Sequence, residues 1–181
     1  MDESIKLQIN FNEDIERKNQ KFFFQYLWKK KFTELKKTII YAILFLALGF
    51  FPPEALNLGP VANIFKYGGV FFSGYIFLIL YHYFRSKNKT FKLIEEQIDD
   101  LRRKKDEISF ITLHQDSITF KNPLITINCI WDKTTYKIID QCLIVNILNN
   151  KISWIFTGAE FKENEYNIFL DFLQQHSKKE K

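Results

Sequence analysis

Residues 67–84 read YGGVFFSGYIFLILYHYF, 18 residues without a charge, bounded by Lys66 and Arg85. As a helix this run is about 27 Å long, close to the thickness of a hydrocarbon core. Tyr75, Tyr81 and Tyr83 carry polar tips, and His82 sits at the end where a membrane–water interface would lie. Gly69 and Gly74 would weaken a helix in water, but small residues let membrane helices approach closely. Upstream, residues 38–51 form a second uncharged run, TIIYAILFLALGFF. Its helix would span only about 21 Å. Leu35 and Phe32 extend it while Lys36 and Lys37 reach back to head groups, and Pro52-Pro53 ends it. A run of this length also suits a buried hairpin in a soluble protein. Two Phe-rich runs in tandem, each with a basic outer flank, favour a transmembrane hairpin over 32–85, its spans at about 35–51 and 67–84.

The basic residues set the expected orientation. Lys29, Lys30, Lys31, Lys36 and Lys37 precede the first span; Arg85, Lys87 and Lys89, then Lys92, follow the second. The connection between the spans, 52–66, carries only Lys66. By the positive-inside rule both termini lie in the cytoplasm and the chain is a multi-pass protein of the inner membrane. Lys29 to Lys31, Lys36, Lys37, Arg85, Lys87 and Lys89 are then the candidate lipid-headgroup and orientation residues.

The chain has 181 residues and a net charge of +5. The excess lies beside the apolar runs, which points to anionic lipid as a partner. No nucleic-acid motif accompanies it, so nucleic acid is not an expected partner. The first 20 residues are polar and charged, unlike a cleaved signal peptide. Cys129 and Cys142 lack metal-ligand spacing and read as structural thiols.

Outside the hairpin the pattern is mixed α and β. SIKLQINF at 4–11 alternates as a half-buried strand that must pair with something later. Asn12 caps a helix with Glu13, Asp14 and Glu16 in its first turn. Its continuation KFFFQYLWKKKF suits either an interface or packing on the domain. Residues 86–106 form a basic amphipathic helix, with Phe91, Ile94, Ile98 and Leu101 on one face. From Ile108 the period becomes two, with strands at 108–113, 117–121, 127–131, 135–139, 143–148 and 151–156. Ile127, Cys129 and Trp131, then Ile152, Trp154 and Phe156, are the expected core side. A closing helix at 163–176 adds Tyr166, Phe169, Leu170 and Leu173, and 178–181 reads as a frayed tail. The expected division is 1–31 strand and juxtamembrane helix, 32–85 hairpin, 86–106 basic helix and 107–181 cytoplasmic domain.

This order of elements resembles the bacterial YcxB-like family across nearly the whole chain. SIKLQINFNEDI, the two apolar runs, NCIWDKTTYKIID and WIFTGAEFKENEYNIFLDFL carry the likeness, with Trp131 and Phe161 at the family's strand end and helix junction. Where the family often has a proline, this chain has Thr157-Gly158-Ala159. The resemblance implies an α+β membrane protein. Its hairpin joins a small antiparallel pleckstrin-homology-like sheet, which the N-terminal strand enters and a C-terminal helix caps. It implies no activity.

No catalytic constellation emerges. His82, His114 and His176 fall on three separate elements, and Gly68-Gly69 lacks the lysine of a phosphate loop. Glu95-Glu96 and Asp99-Asp100 sit among basic residues on a solvated helix. The expected function is therefore non-enzymatic, without cofactor or metal. It is a cytoplasmic binding module presented at the inner membrane to a protein partner or anionic lipid, with homo-oligomer formation open. The alternative is an accessory or immunity-type subunit of a membrane complex.

Overall fold

The computed structural model describes residues 4–51, 59–104 and 108–180. It is an α+β protein with two long helices, one antiparallel four-stranded sheet and a second four-stranded sheet that is antiparallel except for one edge pair. Strand β1 (Ile5–Ile9) is followed by α1 (Glu13–Phe50) and α2 (Val61–Arg103). Then come β2 (Ser109–Leu113), β3 (Ser117–Lys121), β4 (Thr126–Ile130), β5 (Thr135–Ile139), β6 (Cys142–Ile147), β7 (Ile152–Phe156), α3 (Glu165–His176) and β8 (Lys178–Lys179). The chain divides into two compact units: residues up to 23 with those from 93 onward, and residues 24–92.

The first unit holds both sheets, ordered β1-β2-β3-β4 and β7-β6-β5-β8. The N-terminal strand finds its partner in β2, with Leu7 opposite Ile111. Alternation explains the core. Leu7, Ile111, Leu113, Ile118, Phe120 and Cys129 from one sheet meet Tyr136, Leu143, Val145, Ile147 and Phe156 from the other, and Phe169 and Leu173 of α3 complete the cluster. Fully buried residues such as these each remove about 1.5–3 kcal/mol worth of apolar surface from water. Of the expected core residues, Cys129, Trp131, Phe156, Phe169 and Leu173 lie in this cluster, and Ile127, Ile152 and Trp154 pack half-buried against it.

Three local expectations change. Strand β4 ends at Ile130, and Trp131 opens a short 3-10 turn rather than closing the strand. There the indole Nε1–H reaches the His114 carbonyl at 3.0 Å, a bond that a ring continuing the strand would forgo. The tail expected to fray forms β8 instead, parallel to β5. Glu180 holds it, accepting from Thr135 Oγ1, Asn146 Nδ2 and Lys137 Nζ. Strand β6 is buried on both faces, including Asn146, whose amide is satisfied by Glu180 and Ser153. At Asp140-Gln141 and at 148–150 the backbone takes positive φ, which two-residue and short hairpin turns require.

Asn12 caps α1 through Oδ1, which accepts from the Asp14 and Ile15 amides at 3.0 and 3.2 Å. Within the first unit, the start of α1 runs beside the end of α2. Arg17 pairs with Glu95 at 2.9 Å, and Arg102 is held by Glu13 and Asp99. The acids and bases read as solvated charge runs thus lock two helix segments in register. Ile94, Ile98 and Leu101 are buried beneath them.

The second unit is an antiparallel helix pair. Phe24 meets Phe91, Phe32 meets Tyr83, Tyr41 meets Phe72 and Phe45 meets Phe65, with ring centroids 5.0–6.1 Å apart. The inner residues of α1 include Trp28, Leu35, Ala42 and Gly49, seven apart; those of α2 include Gly69, Ile76, Tyr83 and Thr90, also seven apart. Such heptads are the seam of a left-handed helix pair. The α1 side chains on that seam shrink from tryptophan to glycine towards the connection. A Cβ placed on Gly49 would lie 2.6 Å from the Lys66 backbone nitrogen, and one on Gly69 2.6 Å from Leu46 Cδ2. The connection itself, 52–58, lies outside the described residues, as do 105 and 106 at the end of the expected basic helix.

Among the described residues one helix, α2, is long and apolar enough to cross a membrane by length and composition, with a mean hydropathy of 1.5 over its best window. The sequence reading expects two such spans. In α1 the uncharged run begins only at Thr38 and the helix ends at Phe50, so a window of 18 residues takes in Glu34, Lys36 and Lys37; the contact of Phe32 with Tyr83 sets this charged stretch beside the apolar part of α2.

Candidate functional site

Two features carry chemistry, one in each unit. In the helix pair, the outward surface is apolar. Phe71 is 71% exposed, Phe77 67% and Ile43 61%, and Ile40, Leu44, Val70 and Leu78 are exposed with them. Soluble monomers seldom leave a continuous apolar surface of this extent uncovered. Thr33, Thr38 and Ser73 donate their hydroxyls to the carbonyls one turn back, of Lys29, Glu34 and Gly69. All eight predicted basic residues, Lys29, Lys30, Lys31, Lys36, Lys37, Arg85, Lys87 and Lys89, are exposed. The contacts of Trp28 and Phe32 with Tyr83 bring the two sequence-distant groups to one end of the pair. There a groove of about 280 Å³ is lined by Trp28, Lys31, Glu34, Tyr75 and His82 among others, with the Lys31 ammonium 4.7 Å from the Trp28 ring centroid.

The first unit holds a larger cavity of about 630 Å³, which the sequence reading missed. It lies beside β7, the edge strand of the second sheet, and takes its walls from Phe120, Trp154 and Phe156 and its acid groups from Glu16 and Glu160. The Phe120 and Trp154 rings stack at 5.1 Å and 15°, with Phe120 buried and Trp154 half-buried. Glu160 is only 6% exposed. It closes a capping box on the 3-10 turn Gly158–Glu160: Thr157 N–H and Oγ1 both donate to Glu160 Oε2, at 2.6 and 3.1 Å. Asn19 Nδ2 donates to the same oxygen at 2.9 Å. Burial raises the Glu160 carboxyl pKa; the bonds from Thr157 and Asn19 oppose this, and the nearby Glu16 charge adds to it. Glu16 is also raised by burial, against one hydrogen bond from Gln20.

The cavity was hidden because its acids come from positions 16 and 160, and each has a local role that explains it: first-turn acid and capping-box acid. The Thr-x-x-Glu signature at 157–160 is the one sequence signal that places a carboxylate at this junction. The histidines stay apart: His82 lines the groove of the helix pair, while His176 stacks on Phe172 and Trp131. Both cysteines are buried and free. Compared with protein-family models, curated proteins and solved structures, the chain matches none.

Proposed function

We propose that this chain is a non-enzymatic integral protein of the inner membrane that presents a small cytoplasmic binding module. The carrying observation is the outward apolar surface of the helix pair, with exposures such as 71% at Phe71 and 67% at Phe77. Lipid covers such a surface at no cost to hydrogen bonding, because every backbone group of a helix is satisfied within it. The shorter apolar run of α1 accompanies α2 across a thinned or tilted bilayer. Lys29 to Lys31, Lys36, Lys37, Arg85, Lys87 and Lys89 then mark the cytoplasmic head-group level and hold both termini on that side. The groove near Lys31 and His82 offers the same leaflet a mixed polar and aromatic contact.

The module reads as pleckstrin-homology-like: two mainly antiparallel sheets share one core and a C-terminal helix packs into it. That arrangement supports kinship with the YcxB-like family. Its role is to bind a protein partner or anionic lipid at the membrane. Alkaline carbonate washing and flotation of native membranes test the anchoring; release of the chain into the soluble fraction would refute it. Replacing the eight basic residues with Gln is expected to disturb insertion, read by a glycosylation reporter near Asn57. An unchanged reporter pattern would remove their role in orientation.

A further inference from the structure

The cavity beside β7 has the size of a small-molecule site and an uneven supply of hydrogen-bonding groups. Glu160 spends all three of its protein hydrogen bonds on Oε2, leaving Oε1 to the cavity its side chain lines. Glu16 accepts from Gln20 through Oε1 alone, leaving its second oxygen open on the same wall. Among the described residues two buried side-chain polar atoms lack a partner, Asn19 Oδ1 and Trp154 Nε1. Trp154 lines this cavity, and Asn19, which does not, donates to the lining residue Glu160. Stability alone does not account for two carboxyls with open oxygens at one cavity walled by aromatic rings, since each costs desolvation.

The chemistry selects the ligand class. The Glu16 charge adds to the raised pKa of Glu160, and a positive group between two carboxylates on one wall would relieve that repulsion. Among the described residues no three His, Cys, Asp or Glu side chains gather as metal ligands. An ammonium or guanidinium donates directionally to carboxylate oxygens and needs no such third ligand. The half-buried Trp154 ring, stacked on Phe120, suits an apolar or aromatic body and adds cation–π attraction. The lining residue Lys121 is exposed, on the rim rather than between the acids.

We propose that the cavity is a binding site for a small organic cation, a primary amine or guanidinium on an apolar or aromatic body, with Glu16 and Glu160 as its anionic clamp. This site stands independently of the membrane reading. The test uses the purified full-length chain in mild detergent, titrated calorimetrically with 2-phenylethylammonium and with its neutral counterpart 2-phenylethanol, each against a protein-free detergent blank. Saturable binding of the ammonium is expected, weaker by at least about tenfold for the alcohol and for the Glu160→Gln chain, as loss of a charge-assisted bond requires. Glu16→Gln, at a carboxyl that among the described residues accepts from the Gln20 side chain, provides the same test if Glu160→Gln fails to fold. Absence of saturable ammonium binding, equal binding of the alcohol, or unchanged affinity in the Gln variants would each overturn the proposal.

Discussion

Alanine at two glycines of the helix pair should act with opposite sign. At Gly49 a new Cβ would meet the Lys66 backbone N at 2.6 Å and Cα at 2.9 Å, neither of which can swing away. Restoring ordinary contact requires the two backbones to part by roughly 0.8 Å, enough to forfeit a quarter to a half of each neighbouring dispersion contact. Such overpacking costs about 1–3 kcal/mol, while the gain in helix propensity returns about 1 kcal/mol. The net loss is about 1 kcal/mol. At Gly74 an added Cβ meets nothing within 4 Å, so the propensity gain of about 1 kcal/mol stands alone. The two variants therefore differ by about 2 kcal/mol, roughly thirtyfold in a local opening constant. Hydrogen exchange read by mass spectrometry on peptides from 38–50 reports the helix pair without averaging over the other unit. Gly49→Ala should exchange faster than the parent and Gly74→Ala slower. Equal protection, or greater protection for Gly49→Ala, would refute the close backbone approach.

Phe169→Ala, at a fully buried ring, should cost about 3–5 kcal/mol in urea unfolding, while Ile168→Ala, 41% exposed, should stay within about 0.5 kcal/mol. The raised pKa of Glu160 sets a pH trend. Its favourable contribution is complete below the unfolded carboxyl value and is lost as pH rises through the folded value, so the parent should weaken relative to Glu160→Gln from acid to neutral pH; a growing advantage would refute the burial argument. For Glu180 the sign reverses. Burial raises its pKa, but the bonds from Thr135, Lys137 and Asn146 outweigh it, and the net shift is downward. Its contribution is present above the unfolded value and lost as pH falls through the folded one, so Glu180→Gln should remove a stability gain between acid and neutral pH in the same melts. Cys129 and Cys142 are buried, and burial raises the Cys142 thiol pKa, so maleimide labelling should be slow until denaturant is added.

Much of the fold was legible because local chemistry and tertiary context agree. Period-two alternation located β3 and β5 to the residue, and β1, β2, β4, β6 and β7 within one or two. Asn12 announced the start of α1 through a side chain that acts within three residues. The apolar run at 67–84 and its glycines declared a helix that packs closely, whatever surrounds it. Trp131 and the tail at 178–179 were misread for one reason. Each is positioned by a partner far along the chain, His114 for the indole and β5 for the tail, and no local pattern encodes that partner.

The sequence by itself determined composition-level properties: two apolar runs with basic flanks, an alternating meander and a closing amphipathic helix. These follow from periodicity and charge, which act between near neighbours. Tertiary structure alone decided the register that sets the lysines of α1 beside the aromatics of α2, the ion pairs of Arg17 and Arg102, and the joining of Glu16 and Glu160 across 144 positions into one cavity. Those depend on which surfaces meet once the core closes. A carboxylate's burial, and hence its pKa and its chemistry, is a property of that closed packing and not of the residues beside it.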